Sequence, residues 1–508
     1  MPKINLHNLI LSIIFISIPF LEFIKSNFLI LDKSILTSLF YIFSFFIIIF
    51  FLLDLISNKI KYFYNQFYLF FFSFIFFLSF TFLDIKNQIS NITKFSFYIS
   101  TLTFLILYII LFLIISKKKI RFFFIFFAYS LLAYYSFFYY KSSSDKLHNI
   151  ETPQRKIIFL DNQIYLKPKQ QENIYYFILD GMTSLKYFQE SFPETQKEFN
   201  NINYLRINNF IVHENSNSNY NTTYLSLASL MMLDYPVTDK SQKYYDRKNF
   251  WPYLLSNAKK KPELISILEK YNMGFSWYGN ITASCKNYSY NKDFCPSKST
   301  SNFFYVFNSF FQKTPLILIL RKLFPDIMLA GYGEKVDSIK NFLNDFDELD
   351  ISKKKFYLIH HLAPHPPYIH NSDCSIKNKK FTDVTEKKFD GYKDAYLCVL
   401  NKINQTTEAI LKKDPKSLIV FTADHGWILK NDKNFNNEQL LKFAIFNSFK
   451  INEECKKFVA EKMDTISTIR LILGCNINRQ PNLTNKESYI GYQENDANFG
   501  KILKAFSK

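Results

Sequence analysis

Five long apolar runs stand in the first 140 residues of the chain. They cover roughly residues 8–24, 35–56, 66–83, 95–116 and 120–140. Each run is close to the ~20 residues that a helix needs to cross a hydrocarbon core of ~30 Å. Core helices of a soluble protein are the alternative, but these rarely run so long without a charged residue, and here five follow in succession. The pattern therefore predicts a bundle of about five transmembrane helices over residues 1–140.

A different pattern begins after this bundle. Residues 141–172 are polar and alternate in charge, which predicts a linker. Strand-like and helix-like segments then alternate, with a helical pattern over 388–412. Three segments are continuously apolar, as central parallel strands buried on both faces are, namely 173–180, 355–360 and 417–422. We therefore expect residues 173–508 to form an α/β domain with a mostly parallel central sheet.

Basic residues between the apolar runs predict the orientation of the bundle. The loop after the second run holds Lys59 and Lys61, and the loop after the fourth holds a basic cluster at 117–121. Loops rich in Lys and Arg stay in the cytoplasm. The N-terminus is therefore expected in the cytoplasm, and after five crossings everything beyond residue 140 is expected outside it.

Composition agrees with this division of the chain. Phe occurs 59 times, and 31 of these lie in the first 140 residues, so the mean hydropathy of −0.06 averages an apolar part and a polar part. An aromatic content of 19% excludes a disordered chain, and only 10 Gly exclude a collagen-like one.

The net charge of +19 is shared between the two parts. The first 140 residues carry 11 Lys/Arg and 4 Asp/Glu, which leaves 51 basic and 39 acidic residues in the rest. A basic domain beside a bilayer would be attracted to anionic head groups. A solvated, Lys-rich surface is the alternative. Nucleic acid is not expected as a partner of a domain outside the cytoplasm.

All six cysteines lie in the polar part of the chain. An even number of cysteines outside the cytoplasm predicts disulfides. Six cysteines allow fifteen pairings, of which the simplest joins neighbours along the chain as Cys285–Cys295, Cys374–Cys398 and Cys455–Cys475. Zinc binding is the alternative, but the chain has no Cys-x-x-Cys spacing.

Metal-binding side chains follow the three predicted strands. Asp180 closes the first, Asp424 and His425 follow the last, and three histidines, His360, His361 and His365, lie at or just beyond the end of the middle one. The carboxyl ends of parallel strands meet at one edge of a sheet, where α/β folds bind ligands. A single Asp-Gly pair is more often a turn, but three such groups at three strand ends favour a site for Mn²⁺, Zn²⁺ or Mg²⁺.

A hydroxyl residue lies where a polar loop runs into a predicted helix. The loop over 215–222 is rich in Asn and Ser, and Thr223 stands at the junction. Backbone N–H groups at a helix N-terminus can bind a phosphate, so this hydroxyl could be a nucleophile. The alternative is that Thr222 or Thr223 only caps the helix.

In their order along the chain, these segments resemble the alkaline phosphatase superfamily, and within it the sulfatase-like, membrane-anchored branch. That branch includes lipid A phosphoethanolamine transferases and lipoteichoic acid synthases, which join about five N-terminal transmembrane helices to an extracytoplasmic catalytic domain. The resemblance covers the architecture of the whole chain, whereas the motif matches lie in four short stretches between residues 173 and 427.

The resemblance implies a site for one divalent metal ion. Asp180, Asp424 and His425 would be ligands together with the nucleophile Thr223, and Mn²⁺ or Zn²⁺ is favoured over Mg²⁺. No His follows His425, whereas the two-zinc phosphodiesterases of the superfamily carry one, which favours a single main metal. Asp180 stands where phosphoethanolamine transferases usually carry Glu, so the transferred head group stays open.

The resemblance also implies two catalytic residues. Thr223 would be the nucleophile, because Ser226 follows it three residues later, a spacing that Thr222 does not have. His365 lies in a Pro-His-Pro-Pro context and would face the substrate. The Cys/Ser-x-Pro-x-Arg signature of true sulfatases is absent, since Cys295 is followed by Pro-Ser-Lys.

These roles imply an enzyme of the bacterial inner membrane with several membrane passes and a periplasmic catalytic domain. It would transfer a phospho-head group, of phosphoethanolamine or phosphoglycerol type, from a phospholipid donor to a glycan or glycolipid acceptor through a covalent phosphothreonine. A phosphodiesterase or sulfatase acting on envelope polymers is the alternative. A scaffold without activity is a third possibility, but every expected position of the site is filled.

Overall fold

The structure, a computed structural model, falls into two compact units. One combines residues 1–149 with 301–331, and the other combines 150–300 with 332–508. The predicted domains, 1–140, 141–172 and 173–508, stay a prediction, and the two units differ from them in that 301–331 is grouped with the N-terminal part. The structure describes residues 6–27, 33–57, 67–80, 171–195, 200–238, 244–246, 262–279, 298–299, 303–311, 314, 320, 323, 337–377, 389–427, 441–483, 487–493 and 499–506.

The described helices and strands are numbered in chain order. The helices are α1 Leu6–Asn27, α2 Lys33–Ser57, α3 Phe67–Ser79, α4 Leu185–Ser191, α5 Asn200–Ile207, α6 Thr223–Met232, α7 Glu263–Lys270, α8 Phe303–Phe311, α9 Ser338–Phe346, α10 Phe389–Lys413 and α11 Thr465–Asn476. The strands are β1 Ile174–Leu179, β2 Ile211–Val212, β3 Ser216–Asn217, β4 Tyr244–Asp246, β5 Gly274–Gly279, β6 Lys298–Ser299, β7 Lys355–His361, β8 Leu418–Thr422, β9 Asn447–Lys450, β10 Met463–Asp464, β11 Ser488–Gln493 and β12 Phe499–Phe506.

The N-terminal unit contains α1, α2, α3 and α8. Among the described residues, one stretch is long and apolar enough to cross a membrane, Ile35–Leu53 in α2, and α1 holds a shorter apolar stretch, Leu9–Ile24. The first three predicted apolar runs coincide with α1, α2 and α3. The runs 95–116 and 120–140 and most of the linker lie outside the described residues, so the five-helix bundle stays a prediction.

The second unit is built on a seven-stranded sheet in the order β2-β9-β8-β1-β7-β5-β6. The five strands from β8 to β6 are parallel, whereas β9 pairs antiparallel with β8 and β2 antiparallel with β9. The sheet is therefore mixed, and the expected parallel arrangement describes its centre and one side. The three predicted strands correspond to β1, β7 and β8, and the predicted helix to α10, as the pattern indicated.

Strand β1 lies at the centre of the sheet because it can be buried on both faces. All six of its residues are buried. On one face Tyr176 belongs to a hydrophobic core with side chains of α6, α7 and α11, such as Leu225, Leu264 and Ile469. On the other face Tyr175 and Phe177 contact Phe342 of α9, with ring centroids 5.8 and 5.7 Å apart. A continuously apolar strand therefore places helices on both sides of the sheet.

Two of the three predicted disulfides are confirmed. Cys374 is bonded to Cys398, and Cys455 to Cys475. The third predicted pair, Cys285–Cys295, lies outside the described residues. The Cys455–Cys475 bond joins the 3₁₀ helix Glu453–Phe458 to α11.

Removal of this bond should destabilise the fold measurably. The bond closes a loop of 20 residues, and a loop of that length predicts a loss of about 3 kcal/mol in the free energy of unfolding when both cysteines become Ala. As a control in the same 3₁₀ helix, Glu453→Ala removes only an exposed ion pair with Lys456 and should cost less than about 1 kcal/mol. Denaturant titration of the purified variants checks this, and an equal, small loss in both would contradict it.

Candidate metal and nucleophile site

The pairing of three neighbouring strands brings two carboxylates together. Ile178 of β1 pairs with Thr422 of β8. Asp180 and Asp424 each follow two residues later, so both side chains reach the same edge of the sheet. On the other side of β1, Ile178 pairs with His360 of β7. The sequence places these groups at strand ends, and the register places them next to each other.

Asp180, His360 and Asp424 form a cluster suited to a metal ion. One candidate ligand atom from each lies within 4.8 Å of the others, and all three side chains are buried. Asp180 Oδ1, Asp424 Oδ2 and both ring nitrogens of His360 have no hydrogen-bond partner. Two carboxylates this close repel each other by at least about 3 kcal/mol at an effective dielectric constant of 20. A divalent cation bound between them would remove this repulsion and use the unpaired atoms, so the residues fit such an ion.

Backbone N–H groups orient the carboxylate of Asp424. Its Oδ1 accepts hydrogen bonds from Gly181 N at 3.0 Å and from His425 N at 2.9 Å. The two bonds direct Oδ2 toward the cluster. Gly181 can supply its N–H because it adopts a φ of +71°, a left-handed conformation that a residue without Cβ tolerates best.

His425 presents a ring nitrogen to the same cluster. Its Nδ1 lies 2.8 Å from Gly426 O. Because a carbonyl oxygen only accepts hydrogen bonds, Nδ1 carries the proton and neutral His425 presents a lone pair at Nε2. Nε2 lies 3.6 Å from Asp180 Oδ1 and 3.6 Å from Asp424 Oδ2. The ring is thus held in the tautomer that binds a metal through Nε2.

Thr223 completes the cluster at the start of α6. Its Oγ1 lies 3.3 Å from His425 Nε2. Thr222 occupies the N-cap position, but its side chain makes no capping hydrogen bond. Ser226 donates to the carbonyl of Tyr220 at 3.3 Å, which ties the first turn of the helix to the preceding loop. The Thr223 hydroxyl is therefore directed at the metal-binding groups, next to the positive end of the α6 dipole.

Histidines surround the carboxylate of Asp180. Burial alone would raise its pKa, but His365, His360 and His425 favour the charged form and lower the pKa to about 2. His365 donates its backbone N–H to Asp180 O at 3.0 Å. The Nδ1–H of His365 donates to Pro366 O at 2.8 Å, which leaves Nε2 available to a substrate.

The two adjacent histidines of β7 belong to different clusters. Successive strand residues point to opposite faces of a sheet, so His360 joins the carboxylates whereas His361 lies in a separate buried group. There, His361 Nδ1 is 4.0 Å from Asp337 Oδ1, and Lys402 forms an ion pair with Asp337 at 2.5 Å. Burial and the charge of Lys402 lower the pKa of His361 to about 3. His361 is thus a neutral core residue that supports the end of β7.

Trp427 forms an aromatic wall beside the cluster. Its ring centroid lies 5.3 Å from that of His365 and 6.5 Å from that of His425. On its other side it stacks on Tyr392 at 6.2 Å, and Tyr392 OH donates to Gly181 O at 2.8 Å. The ring thus links the loop after β1 to both histidines.

All the residues predicted from the sequence come together at this edge of the sheet, and two further ones join them. Asp180, Thr223, His365, Asp424 and His425 lie around one cluster. The sequence does not separate His360 from its neighbour His361 as a site residue, and it gives Trp427 no role. The position of His360 at the end of a strand beside β1 is the signal in the sequence that indicates a place in the metal cluster. Nothing in the sequence indicates that Trp427 contacts both His365 and His425.

The chain is similar to known proteins in sequence and in fold. The family model described as Sulfatase matches residues 172–447. No protein of curated function matches the chain. The C-terminal periplasmic domain of EcEptC from Escherichia coli is similar in structure, with 12% identity, a TM-score of 0.40 and coverage of 66% of this chain and 93% of that one. The integral membrane protein lipooligosaccharide phosphoethanolamine transferase A from Neisseria meningitidis is 13% identical, with a TM-score of 0.40 and coverage of 76% and 71%.

The family match covers more than half of the chain and includes every candidate site residue. The chain belongs to the sulfatase family, in the sulfatase-like branch of the alkaline phosphatase superfamily.

Proposed function

We propose that this protein is a metal-dependent transferase anchored in the bacterial inner membrane by several spans, with its catalytic domain in the periplasm. It moves a phospho-head group, of phosphoethanolamine or phosphoglycerol type, from a phospholipid to a glycan or glycolipid. The observation that carries the proposal is the Thr223 hydroxyl, which lies 3.3 Å from His425 Nε2 beside two buried carboxylates.

The residues that would hold the metal are Asp180, Thr223, Asp424 and His425. Mn²⁺ and Zn²⁺ suit a site of mixed carboxylate and imidazole ligands better than Mg²⁺ does. When bound, the cation lowers the pKa of the Thr223 hydroxyl and neutralises charge on the phosphoryl oxygens. His360 lies close enough to contribute a further nitrogen or to bind a phosphate oxygen.

The first step forms a covalent phosphothreonine. The Thr223 oxygen attacks phosphorus while the bond from phosphorus to the diacylglycerol oxygen breaks, and the Thr223 proton passes to solvent. The leaving oxygen takes the Nε2 proton of a doubly protonated His365, so that diacylglycerol departs as an alcohol and His365 becomes neutral. The N-terminus of α6 holds the phosphoryl oxygens beside the nucleophile.

The second step returns the enzyme to its starting state. A hydroxyl or phosphate oxygen of the acceptor attacks the phosphothreonine, and His365 Nε2 regains its proton from the acceptor hydroxyl, or from solvent when the acceptor oxygen carries none. The bond from Thr223 to phosphorus breaks, and the Thr223 oxygen regains a proton from solvent. Positioning and charge stabilisation supply most of the rate, as is general for phosphoryl transfer. Water in place of the acceptor would make the same site a hydrolase.

Thr223→Ala should abolish the covalent intermediate, because the variant lacks the nucleophilic oxygen. Turnover should fall by about a thousandfold or more, the scale seen when a nucleophile is removed. Thr222→Ala is the matched control, since that neighbouring hydroxyl makes no capping bond and its loss should leave the adduct intact. Mass spectrometry of the peptide that contains Thr223, after exposure to total lipid, measures the adduct and identifies the head group by its mass.

A turnover assay with a labelled donor lipid separates transfer from hydrolysis. A fluorescent phospholipid is incubated with the purified protein with and without the acceptor glycolipid. Release of diacylglycerol that depends on the acceptor indicates a transferase, and equal release without it indicates a hydrolase. Wild-type turnover in Thr223→Ala would disprove the covalent mechanism in either case.

Asp180→Asn should weaken metal binding. The substitution removes one charge from a buried pair of carboxylates, and loss of even an indirect partner of a metal site costs ten- to a hundredfold in affinity. Calorimetric titration with Mn²⁺ and with Zn²⁺ measures the change. Asp390→Asn, at a side chain that is 90% exposed, is the control and should bind like the wild type, and equal affinity in both variants would exclude Asp180 as a ligand.

A further inference from the structure

A helix from the middle of the catalytic sequence packs with the N-terminal helices. α8 lies within the segment 301–331, which belongs to the same compact unit as residues 1–149. The chain before and after this segment, 150–300 and 332–508, forms the other unit. The chain therefore passes between the two units three times rather than once.

Aromatic side chains form this contact. The ring centroid of Phe310 lies 4.3 Å from that of Phe20 in α1 and 4.9 Å from that of Phe80, just after α3. Phe311 lies 5.4 Å from Phe46, near the middle of α2. Phe310 and Phe311 are only 3% and 1% exposed. α8 is thus packed into the bundle and does not merely touch its surface.

The position of the contact agrees with the orientation expected from charge. Phe20 lies in the C-terminal half of α1, about two turns before its end, and Phe80 follows the C-terminal end of α3. With the N-terminus and the loop that holds Lys59 and Lys61 in the cytoplasm, both ends lie at the outer side of the membrane. A segment that comes from a domain outside the cytoplasm would meet the bundle at this side.

The described helix α8 is too short to cross the membrane by itself. Nine residues give a helix of about 14 Å, less than half of the ~30 Å hydrocarbon core. The residues after it contain a short apolar run, 315–320, followed by the basic pair Arg321 and Lys322. An apolar stretch that ends in basic residues is typical of elements held at the level of the head groups.

The surface that the bundle shows to its surroundings is itself apolar. In α2, Phe40 is 65% exposed, Tyr41 60% and Ile48 58%, and Phe303 of α8 is 40% exposed. Such a surface is stable in contact with acyl chains and unfavourable in water. α8 shares this environment, since it packs on the same helices.

We infer that α8 lies in the outer leaflet of the membrane, packed against α1, α2 and α3, and that the chain reaches it and leaves it on the same side of the membrane. Its partner is the acyl chains and anionic head groups of the outer leaflet. The inference rests on the proposed membrane anchoring. It means that the chain returns to the bilayer at a second place along the catalytic sequence.

Photolabelling from within the bilayer tests this inference. The full-length protein is placed in vesicles of phosphatidylethanolamine and phosphatidylglycerol that carry a lipid with a photoreactive group on its acyl chain. After irradiation, peptides are mapped by mass spectrometry. We expect label on 303–311 at a density similar to α2 and well above that of α10, which serves as the control. Label on 303–311 no higher than on α10 would overturn the inference.

A cysteine pair tests the packing of α8 independently. Phe20→Cys combined with Phe310→Cys should form a disulfide on mild oxidation in the same vesicles, because the two side chains are in contact. Phe20→Cys with Phe303→Cys is the control pair and should not. Equal cross-linking in both pairs, or none in either, would overturn the inference. Neither measurement needs turnover, so an inactive protein would count against the proposed function alone.

Discussion

The two buried carboxylates at the ends of β1 and β8 are the constraint on which the rest of the site depends. Asp180 and Asp424 are both about 3% exposed, and their charges would repel each other strongly without compensation. The polar groups around the two carboxylates compensate this repulsion. Two backbone N–H groups bind Asp424, three histidines lie around Asp180, and the positive end of α6 faces the pair. The unpaired oxygen atoms that remain are the strongest argument for a cation.

The glycines beside these carboxylates follow from the same constraint. Gly181 must turn into a left-handed conformation so that its N–H reaches Asp424. A Cβ on Gly426 would lie 2.7 Å from Leu441 O and would also clash with Ala444 O. In the Asp-Gly and Asp-His-Gly motifs the glycine lets the backbone itself come close to the site. A side chain at either glycine would therefore displace the carboxylate or the imidazole next to it.

Much of the fold and part of the site could be predicted from local patterns. The continuous apolar runs of β1, β7 and β8 indicated buried strands, and residue types at their ends indicated Asp180, Asp424 and His425. Thr223 could be proposed from its place at the start of a helix. The pattern could not distinguish His360 from His361, because both follow the same apolar run, and only the alternation of β7 against its neighbours places one beside Asp180 and the other beside Asp337.

Local sequence therefore determined the main strands and helices and which residue types stand at the strand ends, and it made the neighbour pairs Cys374–Cys398 and Cys455–Cys475 the simplest disulfides. These depend on neighbours close along the chain. The tertiary structure alone decided the antiparallel edge of the sheet, the contact of Trp427 with His365 and His425, and the packing of α8 with the N-terminal helices. Each of these joins residues far apart in sequence, and an apolar segment such as 303–311 shows no preference for one hydrophobic partner over another until the whole chain is folded.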